Sequence, residues 1–95
     1  MKYTYIIGHI TVKNREKWEE YRSRVPATLE PFGAELVFRG TLQSILSGTH
    51  SHTDTVVIRF PDSKAVEKWY GSPEYQALVP LRQEAADVDL LSFTE

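Results

Sequence analysis

The sequence contains no cysteine among its 95 residues, so it forms no disulfide and binds no zinc through thiolates. It also lacks an apolar run of about 18 residues, the length that a membrane-spanning helix needs. The N-terminal stretch MKYTYIIGHITV is interrupted by polar residues and is not followed by a small-residue cleavage site, unlike a signal peptide. These absences predict a soluble, cytoplasmic protein without a membrane partner.

The chain also lacks the excess of basic residues that proteins usually need to bind nucleic acids. It has 11 Lys and Arg residues against 13 Asp and Glu residues, which gives a net charge of −2 at pH 7. No glycine-rich phosphate loop and no nucleophile elbow occur in the sequence. We therefore expect neither a nucleic-acid partner nor a cofactor.

The 95 residues are enough for one domain, which we place at residues 1–95. A chain of this size buries only roughly 60–65% of its unfolded surface, so a monomer has a small core. Apolar residues make up 41% of the sequence and aromatic residues 12%, which is ample for that core. With disulfides excluded, association with a second copy is the expected additional source of stability.

Hydrophobic periodicity predicts the element order β-α-β-β-α-β. The predicted strands are residues 3–12, 34–39, 55–60 and 88–93, and residues 43–46 are compatible with a continuation of the second strand. The first helix follows a cap at Asn14, is expected to bend at Pro26 and ends near Gly33. Polar residues 47–53 are typical of a hairpin loop.

The second helical region is expected to consist of two helices separated by one residue. Asp62 or Ser63 is the expected cap of the first, and Gly71 fits the position that follows its last turn. Residues 72–74, Ser-Pro-Glu, have the composition of a helix start. Pro80 is expected to bend the helix that follows.

This element order is the ferredoxin-like split βαβ arrangement, an α+β fold with an antiparallel sheet. Right-handed crossovers place both helical regions on one face of the sheet. The strands are nevertheless apolar on both faces, since residues 36–38 (LVF) and 56–58 (VVI) are consecutive apolar residues. A second copy of the sheet is the simplest cover for the other face, so we predict a homodimer.

Two long stretches of the sequence resemble the family of domains of unknown function 1330. They are RFPDSKAVEKWYGSPEYQALVPLRQEAA at residues 59–86 and YIIGHITVKNREKWEEYRSRVPATLEPFGAELVFRG at residues 5–40. The resemblance implies a dimeric α/β barrel with ferredoxin-like subunits, but it implies no established chemistry. Related dimeric α/β barrels include cofactor-free monooxygenases, small-ring isomerases and haem-processing enzymes, and such an analogy does not fix a function.

Two residues are candidate catalytic residues. Arg39 ends a predicted strand before Gly40, and its guanidinium is suited to hold a carboxylate or an enolate. The alternative for Arg39 is a structural ion pair with a glutamate such as Glu74 or Glu84. His9 is a candidate general base, and the alternative is a packed histidine at the dimer interface.

Five further side chains are candidates for ligand binding together with Arg39. Trp69, Tyr70 and Tyr75 flank the predicted helix break, where aromatic rings would form the wall of a pocket for a flat molecule. The alternative is that these rings belong to the core. Arg82 lies on an apolar helix face, so its charge must either snorkel to the surface or meet a partner. The inward-facing Tyr21 needs a hydrogen-bond acceptor if it is buried.

The motif HSHTD contains His50, His52 and Asp54, whose side chains are possible metal ligands. All three lie in one short polar loop, and a closed metal site needs four good donors. We therefore interpret the motif as a solvated loop and predict no metal site.

These observations predict a small-molecule-binding protein whose ligand is anionic or aromatic. If the protein is an enzyme, a question that the sequence leaves open, we expect a cofactor-independent isomerase or monooxygenase acting on a small oxo acid or phenolic compound. Arg39 would then hold the anion, and His9 or a tyrosine would move a proton. The alternative is a non-enzymatic homodimeric module that binds a ligand or a protein.

Overall fold

The computed structural model describes residues 2–95, in which four antiparallel strands form a single sheet. The strands are β1 (Thr4–Val12), β2 (Glu35–Thr41), β3 (Asp54–Phe60) and β4 (Ala86–Thr94). Their order across the sheet is β2-β3-β1-β4, because β3 and β4 both pair with β1. The predicted ferredoxin-like α+β fold is confirmed.

The helices lie in the two predicted regions. The first region is α1 (Arg15–Leu29), which continues through Pro26 and is followed by a 3-10 turn (Glu30–Phe32). The second region contains α2 (Ser63–Tyr70), α3 (Pro73–Gln76) and α4 (Val79–Ala85). Within residues 2–95, none of these helices is long and apolar enough to cross a membrane.

Side-chain caps start the helices where the sequence predicts them. The Oδ1 atom of Asn14 accepts a hydrogen bond of 3.1 Å from the backbone N–H three residues later. Asp62, rather than Ser63, caps α2 in the same way at 2.8 Å, and the Oγ of Ser72 caps α3 at 3.2 Å. Each cap satisfies a backbone donor that has no partner within the helix.

Two local predictions are wrong. Pro80 does not bend one continuous helix but lies in the first turn of the separate helix α4, where its missing N–H costs no hydrogen bond. The second strand ends at Thr41, so residues 43–46 belong to the loop between β2 and β3. Gly71 directly follows α2 as predicted, but its φ of −83° is an ordinary right-handed conformation, so the backbone there does not require glycine.

The core lies between the helices and one face of the sheet. The sheet contributes alternate residues of β1 and β3, since side chains alternate between the two faces of a strand. These are Ile6, Ile10, Val56, Ile58 and Phe60, which pack against Trp18, Tyr21, Val25, Leu29, Trp69 and Tyr75 of the helices.

The opposite face of the sheet carries an apolar row that no helix of residues 2–95 covers. The strand register places Phe38, Val57, Ile7 and Leu91 side by side across all four strands. Phe38 at one end of the row is 52% exposed, and Leu91 at the other end is 41% exposed. We call this surface the open face; its apolar character is what the consecutive apolar residues in the strands predict.

A β-bulge in β2 places Leu36 and Arg39 on the same face of the sheet although they are three residues apart. The pairing with β3 shifts by one residue between Leu36 and Phe38. As a result, Leu36 and Arg39 both pair with helix-facing residues of β3, while Phe38 between them faces the open side. The pairing of Arg39 with Val56 therefore places its guanidinium on the same side of the sheet as the helices.

Candidate ligand-binding cleft

A cleft of about 290 Å³ opens between α1 and the edge of the sheet formed by β2 and β3. Its charged lining consists of Arg15 and Arg22 from α1, Arg39 from β2 and Asp54 from β3. We call it the arginine cleft. Three guanidinium groups against one carboxylate make its lining net positive, which favours an anionic ligand.

A smaller inner cavity of about 40 Å³ lies next to the arginine cleft. The two spaces share Ile10, Trp18, Arg22 and Arg39 as lining residues, so they adjoin. The remaining lining of the inner cavity is apolar or aromatic: Ile6, Tyr21, Val25, Val56, Ile58, Trp69, Val88 and Leu90. A ligand that occupies both spaces would have its charge at the arginines and its apolar part towards the core.

Arg39 makes no ion pair with any residue between 2 and 95. Glu84, one of the two glutamates considered as its partner, pairs instead with the Nζ of Lys17 at 3.1 Å. Partial burial of its guanidinium lowers the pKa of Arg39 and the positive charge of Arg22 lowers it further, while Tyr21 and Glu19 act in the opposite direction with smaller effect. Arg39 is therefore an exposed cation beside a like charge, and an anion would relieve that repulsion.

Arg15 and Arg22 were not recognised from the sequence as candidate site residues. Glu19 holds both of them, with its Oε1 atom 3.7 Å from Arg15 and 3.4 Å from Arg22. Their helical spacing could have identified them, because Arg15, Trp18 and Arg22 lie three and four residues apart and therefore share one face of α1. All three residues of that face line the arginine cleft.

A chain of three side chains connects the inner cavity to the protein surface. The hydroxyl oxygens of Tyr21 and Tyr75 are 2.8 Å apart, and the Nη1 of Arg82 donates a hydrogen bond of 2.8 Å to the Tyr75 hydroxyl. Tyr75 is 0% exposed. The chain gives the Tyr21 hydroxyl a hydrogen-bond partner, and it gives Arg82 a polar partner.

The charge states along this chain follow from its surroundings. Burial, together with the neighbouring Tyr75, raises the pKa of Tyr21 well above its usual value, so Tyr21 stays a neutral hydroxyl. Burial is the largest influence on Arg82 and acts to lower its pKa, but contacts with Tyr75, Tyr70 and Tyr21 outweigh burial and raise it. Arg82 therefore remains a cation, which can only donate hydrogen bonds.

The aromatic residues at the helix break do not form a single ligand-facing wall. Trp69 lines the inner cavity, and its ring centroid lies 4.2 Å from that of the fully buried Tyr75. Tyr70 is 43% exposed and lines a separate surface depression with Arg82. Of the three rings, only that of Trp69 reaches the inner cavity; Tyr75 belongs to the core behind it.

His9 lies on the open face, away from the arginine cleft. Its neighbours Gly8 and Ile10 are buried towards the helices, and His9 pairs in register with Asp89 of β4 on the opposite side. Arg39 faces the helices because it pairs with the helix-facing Val56 of β3. One protomer therefore does not bring His9 and Arg39 into a joint catalytic site, because the sheet separates them.

His9 instead belongs to a cluster of three histidines. Its ring centroid lies 5.0 Å from that of His50 and 6.4 Å from that of His52. The two nitrogens of His52 each have a partner at 2.9 Å, Thr11 Oγ1 for Nδ1 and Asp89 Oδ2 for Nε2. The loop that carries His52 is thus fastened onto the open face and is not simply solvated, in contrast to its interpretation from sequence.

The His, Cys, Asp and Glu side chains of residues 2–95 include no group of three whose arrangement is suited to hold a metal ion. The three histidines are close enough for their rings to touch. His52, however, already uses both of its nitrogens for Thr11 and Asp89.

Comparison with known protein families gives a match over nearly the whole chain. The family model described as "Domain of unknown function (DUF1330)" matches residues 3–94. No curated protein matches the chain.

Several solved structures have the same fold at low sequence identity. A protein of unknown function from Rhodopseudomonas palustris is 17% identical with a TM-score of 0.82, and the match covers 96% of this chain and 80% of that one. A dimeric ferredoxin-like protein of unknown function from Jannaschia sp. CCS1 is 9% identical with a TM-score of 0.76, covering 96% and 97% of the two chains.

SnoaB, a cofactor-independent oxygenase from Streptomyces nogalater, is a third such structure. It is 14% identical with a TM-score of 0.71, and the match covers 100% of this chain and 94% of that one. At these levels of identity the three similarities establish the fold and leave the function open.

Proposed function

We propose that this chain, which belongs to the DUF1330 family of domains of unknown function, binds a small organic anion in the arginine cleft. The observation that carries the proposal is the state of Arg39. It lies on the exposed strand β2, it has no carboxylate partner among residues 2–95, and it lies beside the like-charged Arg22 in the lining of the cleft. A guanidinium that is accessible and not engaged by a carboxylate can form a charge-assisted bidentate contact with an anionic ligand.

The shape of the site supports a ligand with a charged end and an apolar body. The arginine cleft has about 290 Å³, close to the lower end of the usual range for small-molecule sites. The adjoining inner cavity is lined by Trp69, Val25 and Ile58, whose apolar surfaces favour a hydrocarbon chain or a flat ring. The guanidinium of Arg39 offers paired N–H donors that match a carboxylate.

Binding of small carboxylates to the wild type and to an Arg39→Met variant tests this proposal. Benzoate and 4-oxopentanoate are suitable probes, with affinity measured by calorimetry and by the shift in melting temperature. Methionine keeps the aliphatic stem and removes the charge, so affinity should fall roughly tenfold or more, because a charge-assisted bidentate contact contributes about 1.5–3 kcal/mol.

An Arg24→Met variant is the matched control. Arg24 lies on α1 two residues after Arg22, but it pairs with Glu20 at 2.8 Å and does not line the cleft. Its replacement removes the same charge from the protein as Arg39→Met does, so it should leave carboxylate affinity unchanged. Equal losses in the two variants would show that only net charge matters, and the proposed site would be wrong.

We also propose that the protein is a homodimer joined through the open face. The uncovered row from Phe38 to Leu91 supports this, because large contiguous apolar surfaces usually mark an interface. The similar structure from Jannaschia is described as dimeric. His9 and its cluster would then lie at the subunit interface.

Our second candidate function is cofactor-independent isomerisation or oxygenation of a small oxo acid or phenolic compound in the same cleft. The observations in favour are the fold shared with SnoaB and the presence of Asp54 in the lining of the arginine cleft. Asp54 would be the proton acceptor in this case, since His9 lies on the other face and Tyr21 remains protonated.

Proton exchange and oxygen uptake distinguish this enzyme from a non-enzymatic binding module. An isomerase would catalyse deuterium exchange at the carbon next to the carbonyl of 4-oxopentanoate, and an oxygenase would consume oxygen with a phenolic acid. An Asp54→Asn variant should abolish either reaction. Binding without exchange or oxygen uptake would support the module instead.

A further inference from the structure

We propose that Tyr21 directs its hydroxyl hydrogen into the inner cavity and donates a hydrogen bond to an oxygen of the bound ligand. The oxygen would be a carbonyl, enolate or phenolic oxygen at the end of the ligand opposite its anionic group. This inference rests on the proposed function, because it identifies the second polar group of the anion that the arginine cleft holds.

The direction of the hydrogen bonds begins at Arg82. A guanidinium has five N–H donors and no acceptor, so the contact of 2.8 Å between Arg82 Nη1 and the Tyr75 hydroxyl can form in only one way. The oxygen of Tyr75 accepts, and the single hydrogen of Tyr75 remains to be placed.

The hydrogen of Tyr75 has one available acceptor. Tyr75 is 0% exposed, so water does not reach it, and Tyr21 is its only other side-chain partner within residues 2–95. If Tyr21 donated to Tyr75, the hydrogen of Tyr75 would be buried without a partner, which is costly. The favoured arrangement is therefore that Tyr75 donates to Tyr21.

The hydrogen of Tyr21 is then left without an acceptor in the protein. Tyr21 lines the inner cavity, and every other polar side chain there is a donor: Arg22, Arg39, Trp18 and Trp69. The Nε1 of Trp69 is in addition already bound to Thr28. Since the cavity offers donors and no side-chain acceptor, a ligand with an oxygen acceptor complements it.

The unpaired hydroxyl hydrogen of Tyr21 favours ligands that carry an oxygen acceptor in addition to their anionic group. A simple fatty acid would satisfy the arginines but leave the hydroxyl of Tyr21 unpaired. An oxo acid, or a phenolic acid in its phenolate or phenol form, satisfies both ends. A ligand that leaves a buried polar group of the protein without a hydrogen bond binds much more weakly. This effect on affinity is larger than that of a small difference in ligand shape.

Two pairs of isosteric probes test the inference. The pairs are 4-oxopentanoate with 4-methylpentanoate and 4-acetylbenzoate with 4-isopropylbenzoate, which differ only in a carbonyl oxygen replaced by a methyl group. The measured quantity is the affinity ratio of ketone to isostere, compared between the wild type and a Tyr21→Phe variant. That comparison cancels the different hydration of the two probes.

We expect the ratio for at least one pair to be about five to ten times larger in the wild type than in Tyr21→Phe. The isosteres should bind both proteins equally, because the phenylalanine removes only the hydroxyl. An unchanged ratio for both pairs, with binding of the carboxylates intact, overturns the inference and leaves the proposed function standing.

A Tyr75→Phe variant tests the direction of the chain. If Tyr75 donates to Tyr21, its removal leaves the hydrogen of Tyr21 available to the cavity, and the ketone preference should persist. A preference that is absent from the wild type and appears only in Tyr75→Phe would mean that Tyr21 donates to Tyr75, and the inference would be wrong. Melting curves identify any variant that is not folded.

Arg39→Met separates the two proposals. It should weaken all four probes by the same factor and leave the ratio of ketone to isostere intact. If it leaves all four affinities unchanged, the proposed anion site fails, even where Tyr21 still selects the ketones. If none of the four probes binds the wild type, the proposed function and this inference fail together.

Discussion

The indole Nε1 of Trp69 donates a hydrogen bond of 3.0 Å to the Oγ1 of Thr28, and both residues are buried. The bond connects α2 to α1, and Trp69 also lines the inner cavity. Thr28 Oγ1 in turn donates to the backbone carbonyl of Val25 at 2.7 Å. Replacing Thr28 by valine keeps the shape but removes the acceptor, so we expect a loss of about 1–3 kcal/mol in the free energy of unfolding.

A Thr28→Ser variant is the control for this prediction. Serine keeps the hydroxyl and loses one methyl group, which should reduce stability by about 1 kcal/mol. Chemical denaturation of both variants gives the comparison. A valine variant as stable as the wild type would show that the indole N–H does not depend on Thr28.

Arg39→Met should change the free energy of unfolding by only about 1 kcal/mol or less. Arg39 has no ion-pair partner among the described residues, so its replacement leaves no buried carboxylate unpaired. Its loss also removes repulsion with Arg22. Urea denaturation measures the effect, and a destabilisation of about 3 kcal/mol or more would identify Arg39 as part of a structural ion pair.

Stability at high pH should depend on Tyr21. Burial, with the nearby Tyr75, raises the pKa of Tyr21 in the folded state, whereas in the unfolded chain it titrates near pH 10. Above about pH 10 only the unfolded chain releases this proton, so the stabilisation from Tyr21 is complete below that pH and is lost as the pH rises.

The loss should amount to about 1.4 kcal/mol per pH unit beyond what a Tyr21→Phe variant shows. Urea denaturation of both proteins from about pH 9 to pH 11 measures the difference in slope. The remaining tyrosines contribute alike to both proteins. Parallel curves over this range would contradict burial of the Tyr21 hydroxyl.

Light scattering after gel filtration should find a dimer, and a Leu91→Glu variant should be monomeric. The substitution places a charge within the apolar row that also contains Ile7, Val57 and Phe38, where the partner sheet would bury it. Obligate dimer interfaces commonly bury about 2,000 Å² or more in total. Ala27→Glu, on an exposed position of α1, should remain dimeric; a monomeric wild type would refute the interface.

Zinc should not stabilise the protein, although His9, His50 and His52 lie close together. Both nitrogens of His52 are engaged by Thr11 and Asp89, and a structural zinc site needs four well-placed donors. Melting curves with and without zinc test this. A rise in melting temperature that disappears when His50 and His52 are both replaced by alanine would contradict it.

The features that the sequence predicts correctly are those that depend on neighbouring residues. Asn14 and Ser72 cap helices because their side chains reach a backbone N–H three residues away. The ion pair between Glu20 and Arg24 is a local contact of the same kind, because four residues make about one helical turn. The fold class follows from the order of such local elements.

The site was predicted only in part, because its contacts are distant in sequence. Tyr21 and Tyr75 are 54 residues apart, and no local pattern relates them. The same holds for His9 and His50, whose rings touch because the loop folds back over the sheet. The sequence identified Tyr21 and Arg82 as polar side chains on apolar helix faces, but could not show that Tyr75 is the partner of both.

The bulge in β2 separates a part of the strand whose length can change from a part whose length sets the side on which Arg39 lies. Removing the extra residue Val37 would restore a regular strand, and Leu36 and Arg39 would still pair with Ile58 and Val56. Inserting one residue between Phe38 and Arg39 would instead turn the guanidinium to the opposite face. Relatives of this protein can therefore vary in length before Phe38 and keep the anion site, whereas an insertion directly after it transfers the charge to the surface that we assign to the dimer.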